Sequence, residues 1–426
     1  MKITKVYCAF EPEKFINSFG FKGKTLSGVW QTSVMVCSND LYGLGLGVQS
    51  VLWSDSNVFS TYGEQKSNEL MFCVTEYAIK LILGKNFESP KELIGEIFDE
   101  CYEYAKSITK LEVTETFVLN ALVPVDFALW QLWVRANNVE DFDKIYKGED
   151  KNSFLANIPL ITYGVPVERV KQMAQDGVCI FKIKIGSDPD GDGCPEKMIA
   201  WDKERMLNIH NALKDTSTPY TDCGKAVYYF DANGRYGTKE QLVELVNFMV
   251  ETGIAEQTVL FEEPFSPENE VYVGDLPIIF AADESAHSLK DVKRRIELGY
   301  KAITLKPIAK TLSVTIDMAD CAKENNIQCF CADLTVNPVM VEWNKNFAAR
   351  LKPLKGMKIG VVESNGAQNY VNWKEMKNRL PFGNNTQDDT IYNLDEQFYK
   401  NNGGVFESPE YYVEYLKCVN NIKEFR

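Results

Sequence analysis

Histidine is nearly absent from this chain. Its 426 residues hold two, His210 and His287, which weakens any mechanism that relies on imidazole as base, nucleophile partner or zinc ligand. The eleven cysteines contain no Cys-x-x-Cys pair, so neither a zinc ribbon nor a thioredoxin-like redox site is indicated. They are scattered, and Cys73, Cys179, Cys329 and Cys331 lie in apolar runs that read as buried reduced thiols. Basic residues are not in excess: 46 Lys and Arg against 60 Asp and Glu leave a net charge of −14, which argues against a nucleic acid as partner. No block of like charge marks a polyelectrolyte tail. No long apolar stretch follows Met1-Lys2-Ile3-Thr4-Lys5-Val6, so no signal peptide is read there. No run of about 18 apolar residues reads as a bilayer span. The expectation is a cytoplasmic protein with no membrane partner.

What is present is the composition of an ordinary globular chain, 45% apolar and 25% charged, long enough for one large core and a second domain. Residues 1 to about 60 read as strands. Lys24–Val36 and Tyr42–Trp53 are rich in β-branched and aromatic residues, and Ser38-Asn39-Asp40 reads as the turn between them. Helical spacing follows over Glu92–Ile108 and Thr116–Ala136, with Pro124 expected to kink the second helix or mark its start. Residues 1–140 are therefore expected to form an α+β domain.

From Ile158 short apolar strands alternate with helices. Strands are expected at 160–163, 179–185, 226–230, 258–261, 278–282, 301–305, 327–331 and 358–362. Eight strands with intervening helices predict an α/β, TIM-type (β/α) barrel over residues 155–380. The segment from about Pro381 is Asn- and Tyr-rich and shows no further barrel unit.

Charged residues end five of these strands, in Phe181-Lys182-Ile183-Lys184, Tyr229-Phe230-Asp231-Ala232-Asn233, Leu260-Phe261-Glu262-Glu263-Pro264, Ala281-Ala282-Asp283-Glu284-Ser285 and Thr304-Leu305-Lys306-Pro307. Strand ends are where a barrel enzyme keeps its chemistry. Any one of these charges alone reads as a helix cap or a solvated side chain. Five in order, at intervals of about one βα unit, do not. Asp231, Glu262 and Asp283 would meet at the mouth as three carboxylates suited to Mg²⁺ or Mn²⁺. Lys182 and Lys184 alternate along one strand and so share a face, while Lys306 lies across the barrel. Glu263 and Glu284, next in sequence, are expected to face elsewhere. A proton α to a carboxylate is very weakly acidic. A divalent cation stabilises the enediolate left behind, and neighbouring positive charge lowers the pKa of a lysine base.

Two other patterns carry less. Asp188-Pro189-Asp190-Gly191-Asp192-Gly193 resembles the start of an EF-hand loop, but position twelve is Ile199 where a bidentate Glu is required. It reads as a solvated loop. Gly43-Leu44-Gly45-Leu46-Gly47 lacks the spacing and helix of a dinucleotide fingerprint and reads as a glycine-rich strand.

Together the motifs resemble the enolase superfamily, in its mandelate racemase/muconate-lactonizing and dipeptide epimerase subgroup. Lys182-Ile183-Lys184 looks like that family's Lys-x-Lys. Asp231-Ala232-Asn233, Glu262-Glu263-Pro264 and Asp283-Glu284-Ser285 look like its metal motifs, and Lys306 like its opposing lysine. Ala128-Leu129-Trp130-Gln131-Leu132 is similar to the helix that leads into its barrel. The resemblance implies that residues 1–140, completed by about 381–426, cap the barrel, with substrate contacts from a Gly20–Trp30 loop. It implies Lys184 and Lys306 as bases, Asp231, Glu262 and Asp283 as metal ligands, and Lys182, Asn233 and Glu363 as substrate contacts. The implied partner is a small carboxylate, and the protein is expected to be a homo-oligomeric isomerase. Dipeptide epimerases of this kind carry Asp-x-Asp at strand eight, where this chain has Val362-Glu363-Ser364-Asn365. Many relatives carry a Gly-x-Gly-Glu-like segment in the cap, where this chain reads Gly45-Leu46-Gly47-Val48-Gln49. Epimerisation of a dipeptide or N-substituted amino acid is the first expectation. Single-base syn elimination or cycloisomerisation, as in muconate-lactonizing or o-succinylbenzoate synthase-like enzymes, is the alternative, and an inactive binding paralogue a more distant one.

Overall fold

Three antiparallel strands open the chain: β1 (Lys5–Phe21), β2 (Lys24–Ser38) and β3 (Leu41–Gln49), in that order across the sheet. The computed structural model describes residues 1–21, 24–381 and 389–420. The Gly20–Trp30 segment, expected as a loop, is mostly strand. β1 pairs with β2 up to Phe21↔Lys24, and Leu26 and Trp30 sit within β2. Residues 22 and 23 of that segment lie outside the described residues, as do 382–388 and 421–426 of the C-terminal segment.

Alternate residues of a strand share a face, and Gly43, Gly45 and Gly47 clear one face of β3. A Cβ on Gly45 would stand 1.9 Å from the carbonyl oxygen of Pro124, and one on Gly43 would stand 2.1 Å from that of Ala128. The absent side chains let the helix Glu115–Ala136 lie directly on the sheet. That helix runs through Pro124 rather than starting there. It is long and apolar enough to cross a membrane by length and composition, yet 94% of its most apolar window is buried inside the protein. Its far side meets the barrel, where Trp130 Nε1 donates to Ser313 Oγ at 3.0 Å and Ser313 N to Asp126 Oδ2 at 3.0 Å.

The strand expected over Tyr42–Trp53 stops at Gln49. Val51–Ser54 forms one helical turn and Ser56–Ile82 a helix, whose first turn is capped by Asp55 Oδ1 accepting from Asn57 N and Val58 N, both at 3.0 Å. The side-chain cap satisfies amides that a continuing strand would have paired.

The second sheet contains β4 (Phe154–Ile158), β5 (Leu160–Ile161), β6 (Ile180–Lys184), β7 (Val227–Asp231), β8 (Thr258–Glu262), β9 (Phe280–Ala282), β10 (Ala302–Leu305), β11 (Gln328–Cys331), β12 (Gly360–Glu363) and β13 (Ile391–Asn393). Its order is β13-β4-β12-β11-β10-β9-β8-β7-β6-β5. β4 and β5 are one chain segment interrupted only by Pro159. β4 pairs with β12 and β5 with β6, both parallel, and Lys182 N reaches Pro159 O at 3.2 Å. The segment 154–161 therefore joins both ends of the parallel sheet and closes an eight-stranded (β/α) barrel. The expected strand at 160–163 is thus only the second half of strand one. Pro159 has no N–H to continue a ladder, and that is where the strand changes partners.

β13 is a correction to the expectation that nothing after about Pro381 joins the barrel. It pairs antiparallel with β4, Ile391 opposite Ala156. The helix Glu410–Asn420 instead reaches the first sheet, with Tyr415 Oη on the Phe10 carbonyl at 2.9 Å and Tyr411 Oη on Glu11 Oε1 at 2.6 Å.

Candidate active site

Six of the eight barrel strands, two to six and eight, deliver charge to one end of the barrel. Lys182 and Lys184 lie at the end of β6, Asp231 ends β7, Glu262 ends β8, Asp283 follows β9, Lys306 follows β10 and Glu363 ends β12. All are buried, the most accessible being Lys184 at 9%. A cavity of about 60 Å³ opens among Lys182, Lys184, Asp231, Asn233, Asp283, Lys306 and Glu363. The eighth expected site residue, Glu262, lies behind Lys182.

The ammonium groups lie on the carboxylates. Lys182 Nζ is 3.2 Å from Asp231 Oδ2, 3.1 Å from Glu262 Oε1 and 3.3 Å from Glu363 Oε2. Lys184 donates to Asp231 and, at 2.6 Å, to Asn233 Oδ1. Lys306 Nζ is 2.5 Å from Asp283 Oδ2. Glu262 also accepts from Tyr229 Oη and, at 2.8 Å, from Thr304 Oγ1. Burial opposes ionisation of Asp231 and Asp283, but Lys184 and Lys182 beside the first, and Lys306 and Lys310 beside the second, hold both below the ordinary carboxylate range. Burial and the charge of Asp231 push Glu262 the other way. Burial disfavours the Lys306 ammonium, yet Asp283 carries its pKa above the ordinary lysine value.

The donor chemistry suits a hard cation, since three buried carboxylates end adjacent strands. Among the described residues, however, no three acidic, histidine or cysteine side chains converge as they stand into a metal cluster. Lys182 occupies the space between Asp231 and Glu262, so an ion there requires the ammonium to move aside.

The structure adds residues that the sequence reading passed over. Lys310 is fully buried and donates to the carbonyls of Asp283 and Ala286 at 2.7 and 2.9 Å. Asp333 lines the cavity beside Glu363. Its carboxylate accepts from Leu334 N at 2.8 Å and Asn365 N at 2.7 Å, and burial followed by Glu363 pushes its pKa up to about 7. Glu284, expected to face elsewhere, lines the cavity and accepts from Asn233 Nδ2 at 3.0 Å. Glu263 does turn to the loop, where its carboxylate takes Asp283 N at 2.7 Å and Ser285 Oγ at 3.0 Å. Leu26, Ser50 and Trp53 of the first domain close the cavity. Tyr229 and Thr304 were within reach of sequence reasoning, because each lies two residues before a charged site and so shares its face. The Asp188–Gly193 loop is exposed, and Lys197 bridges Asp190 and Asp192, both at 2.6 Å.

No family model and no curated protein matches this sequence. Solved structures match its fold. The dipeptide epimerase from Cytophaga hutchinsonii, complexed with Mg and D-Ala-L-Val, superposes with a TM-score of 0.64 at 16% identity, over 87% of this chain and 89% of that one. The dipeptide epimerase from Enterococcus faecalis V583, complexed with Mg and L-Leu-L-Tyr, gives 0.62 at 16%, over 86% and 91%. The N-succinyl Arg/Lys racemase from Bacillus cereus ATCC 14579 gives 0.63 at 14%, over 87% and 89%. At such identities the likeness establishes the fold. The chain shares its capped (β/α)-barrel fold with solved structures of dipeptide epimerases, of a mandelate racemase/muconate lactonizing protein and of a member of the enolase superfamily.

Proposed function

We propose that this protein is a divalent-metal-dependent isomerase that removes the α-proton of a carboxylate substrate on one face and returns a proton on the other, with a dipeptide or an N-substituted amino acid as substrate. The observation that carries the reading is the placement of Lys184 and Lys306. They end strands two and six of the barrel and line one cavity, so a substrate Cα held between them would meet an amine on each face. The dipeptides complexed with the structurally similar epimerases, and the similar N-succinyl Arg/Lys racemase, support the same class.

Asp231, Glu262 and Asp283 would hold Mg²⁺, with Mn²⁺ as an alternative of the same hard-oxygen chemistry. When bound, the ion supplies the positive charge that stabilises an enediolate. Lys182 and Asn233 are assigned to the substrate carboxylate. Glu363, with Asp333 next to it, is assigned to an ammonium group on the substrate, in the place where the related epimerases carry Asp-x-Asp. The first domain covers the cavity and limits water around the amines.

The test is α-proton exchange in D₂O against both epimers of a dipeptide and N-acyl amino acid library. Wild-type enzyme with Mg²⁺ should exchange both epimers, and EDTA should abolish exchange until Mg²⁺ is restored. Lys184→Ala should lose exchange from one face and Lys306→Ala from the other, each by roughly 10²–10⁴-fold. If one variant loses both faces while the other turns over normally, the chemistry is single-base and the elimination or cycloisomerisation reading replaces this one.

A further inference from the structure

The first domain reaches the charged cluster through a side chain that has no role in the reading above. Trp53 belongs to the helical turn Val51–Ser54, is 6% exposed and lines the cavity. Its ring centroid lies 4.4 Å from Lys306 Nζ and 6.0 Å from Lys310 Nζ. Lys306 is thus held between the carboxylate of Asp283, at 2.5 Å, and the face of an indole. These two contacts differ in kind. The carboxylate competes for the lysine proton. The π face attracts the ammonium through its quadrupole without accepting the proton. A lysine side chain has among the largest rotamer entropies of any residue, so a wall that fixes its direction matters most for an amine that must point at one carbon. Trp53 is itself rigidly placed, because Asp55, two residues further on, caps the following helix and also accepts from Thr114 N at 2.9 Å.

We propose that Trp53 is the positioning residue for Lys306: the indole supplied by the cap sets the direction of the amine on that side of the cavity, so that proton transfer on one face of the substrate depends on the cap. The inference rests on the two-lysine reading of the site. It predicts an asymmetric defect, because Trp53 touches the amine of strand six and belongs to a different element from Lys184.

Two measurements on the full-length protein test it. The first needs no substrate. In protein carrying ¹³C-labelled lysine, the Lys306 ε-CH₂ signal, assigned by its loss in Lys306→Ala, should be shifted upfield by the indole ring current. Trp53→Leu should return it to the ordinary lysine position, and Trp53→Phe should keep part of the shift. The second is face-specific exchange in D₂O. Trp53→Leu should lower exchange on the Lys306 face by about 10–100-fold, the scale of a misplaced reacting group. Exchange on the Lys184 face should stay within about twofold of wild type on the same reasoning, and Trp53→Phe should recover most of the loss. An equal loss on both faces, or an unshifted Lys306 signal in wild type, overturns the proposal. If Trp53→Leu does not fold, the Trp53→Phe signal shift and exchange ratio decide it. If wild type exchanges no substrate, the functional reading fails, while the Lys306 signal still decides whether Trp53 orients that side chain.

Discussion

Deleting the ammonium of Lys182 should damage the metal-free protein far more than neutralising a carboxylate beside it. Lys182 Nζ stands 3.1–3.3 Å from carboxylate oxygens of Asp231, Glu262 and Glu363, with every partner side chain at most 4% exposed. Lys182→Met keeps the stem and leaves three buried carboxylates facing an apolar tip. Breaking a buried ion pair by removing one partner costs roughly 3–5 kcal/mol. Glu262→Gln is a gentler change. The amide oxygen can still accept from Lys182, the amide nitrogen can donate to the oxygens of Tyr229 and Thr304, and the ammonium keeps Asp231 and Glu363. Burial already disfavours the Glu262 carboxylate, so its neutralisation should be neutral or stabilise by up to about 2 kcal/mol. Urea denaturation in EDTA should therefore separate the two variants by roughly 3–7 kcal/mol. Mg²⁺ at a hundredfold over its Kd should return about 2.7 kcal/mol to Lys182→Met and much less to Glu262→Gln, which lacks a ligand. The reasoning fails if Lys182→Met is within about 1 kcal/mol of wild type in EDTA, or if Glu262→Gln loses more than about 2 kcal/mol there.

Burial pushes the pKa of Asp126 up to about 6 against the two hydrogen bonds from Ser313. Between the unfolded value near ~4 and about 6, the native state binds more protons than the unfolded state, so this group makes stability fall as pH rises through that window, by up to about 3 kcal/mol. Asp126→Asn should flatten that slope in thermal melts from pH 4 to 7 and raise stability at pH 7; an unchanged slope would remove Asp126 as its source. In β3, Gly45→Ala would place a Cβ 1.9 Å from the Pro124 carbonyl oxygen and 2.4 Å from Ala128 N. Both atoms are backbone, so the cost should reach about 3 kcal/mol or more, and an urea midpoint like that of wild type would show that the helix shifts freely.

The barrel was legible because its strands are short, apolar and followed by helices with clear periodicity. Helices such as Val167–Gln175 and Lys239–Glu251 separate them. All eight expected site residues come to one end of the barrel because each sits at a strand terminus, and the parallel register Lys184↔Asp231↔Glu262 aligns those termini. The elements that stayed hidden depend on distant partners. Ser56–Ile82 was not outlined because Gly63, at φ 73°, breaks its helical path and its apolar residues do not make a clean stripe. Pro338–Ala348 is buried on every side, its polar Glu342, Asn344, Lys345 and Asn346 included, so its pattern does not separate an apolar face from a solvated one. Trp53 and Leu26 approach the site only once the first domain has docked on the barrel, and nothing local to either residue signals that. Lys310 is likewise buried only by the packing around the short helix Pro307–Lys310, and nothing local to it signals that.

Strand one also fixes the order in which the molecule can be completed. Its first half needs β12, about 200 residues downstream, and β13 beyond it, while its second half needs only β6. Contacts of such sequence separation form slowly. A growing or truncated chain that stops short of Gly360 can assemble strands two to seven, but Leu155–Ile158 must then remain an open edge, with unpaired backbone groups ready to add a strand from another chain. Aggregation during synthesis should therefore trace to residues 154–158, and a split-protein or circularly permuted version will succeed or fail according to whether its cut leaves this segment with both of its neighbours, β12 and β13.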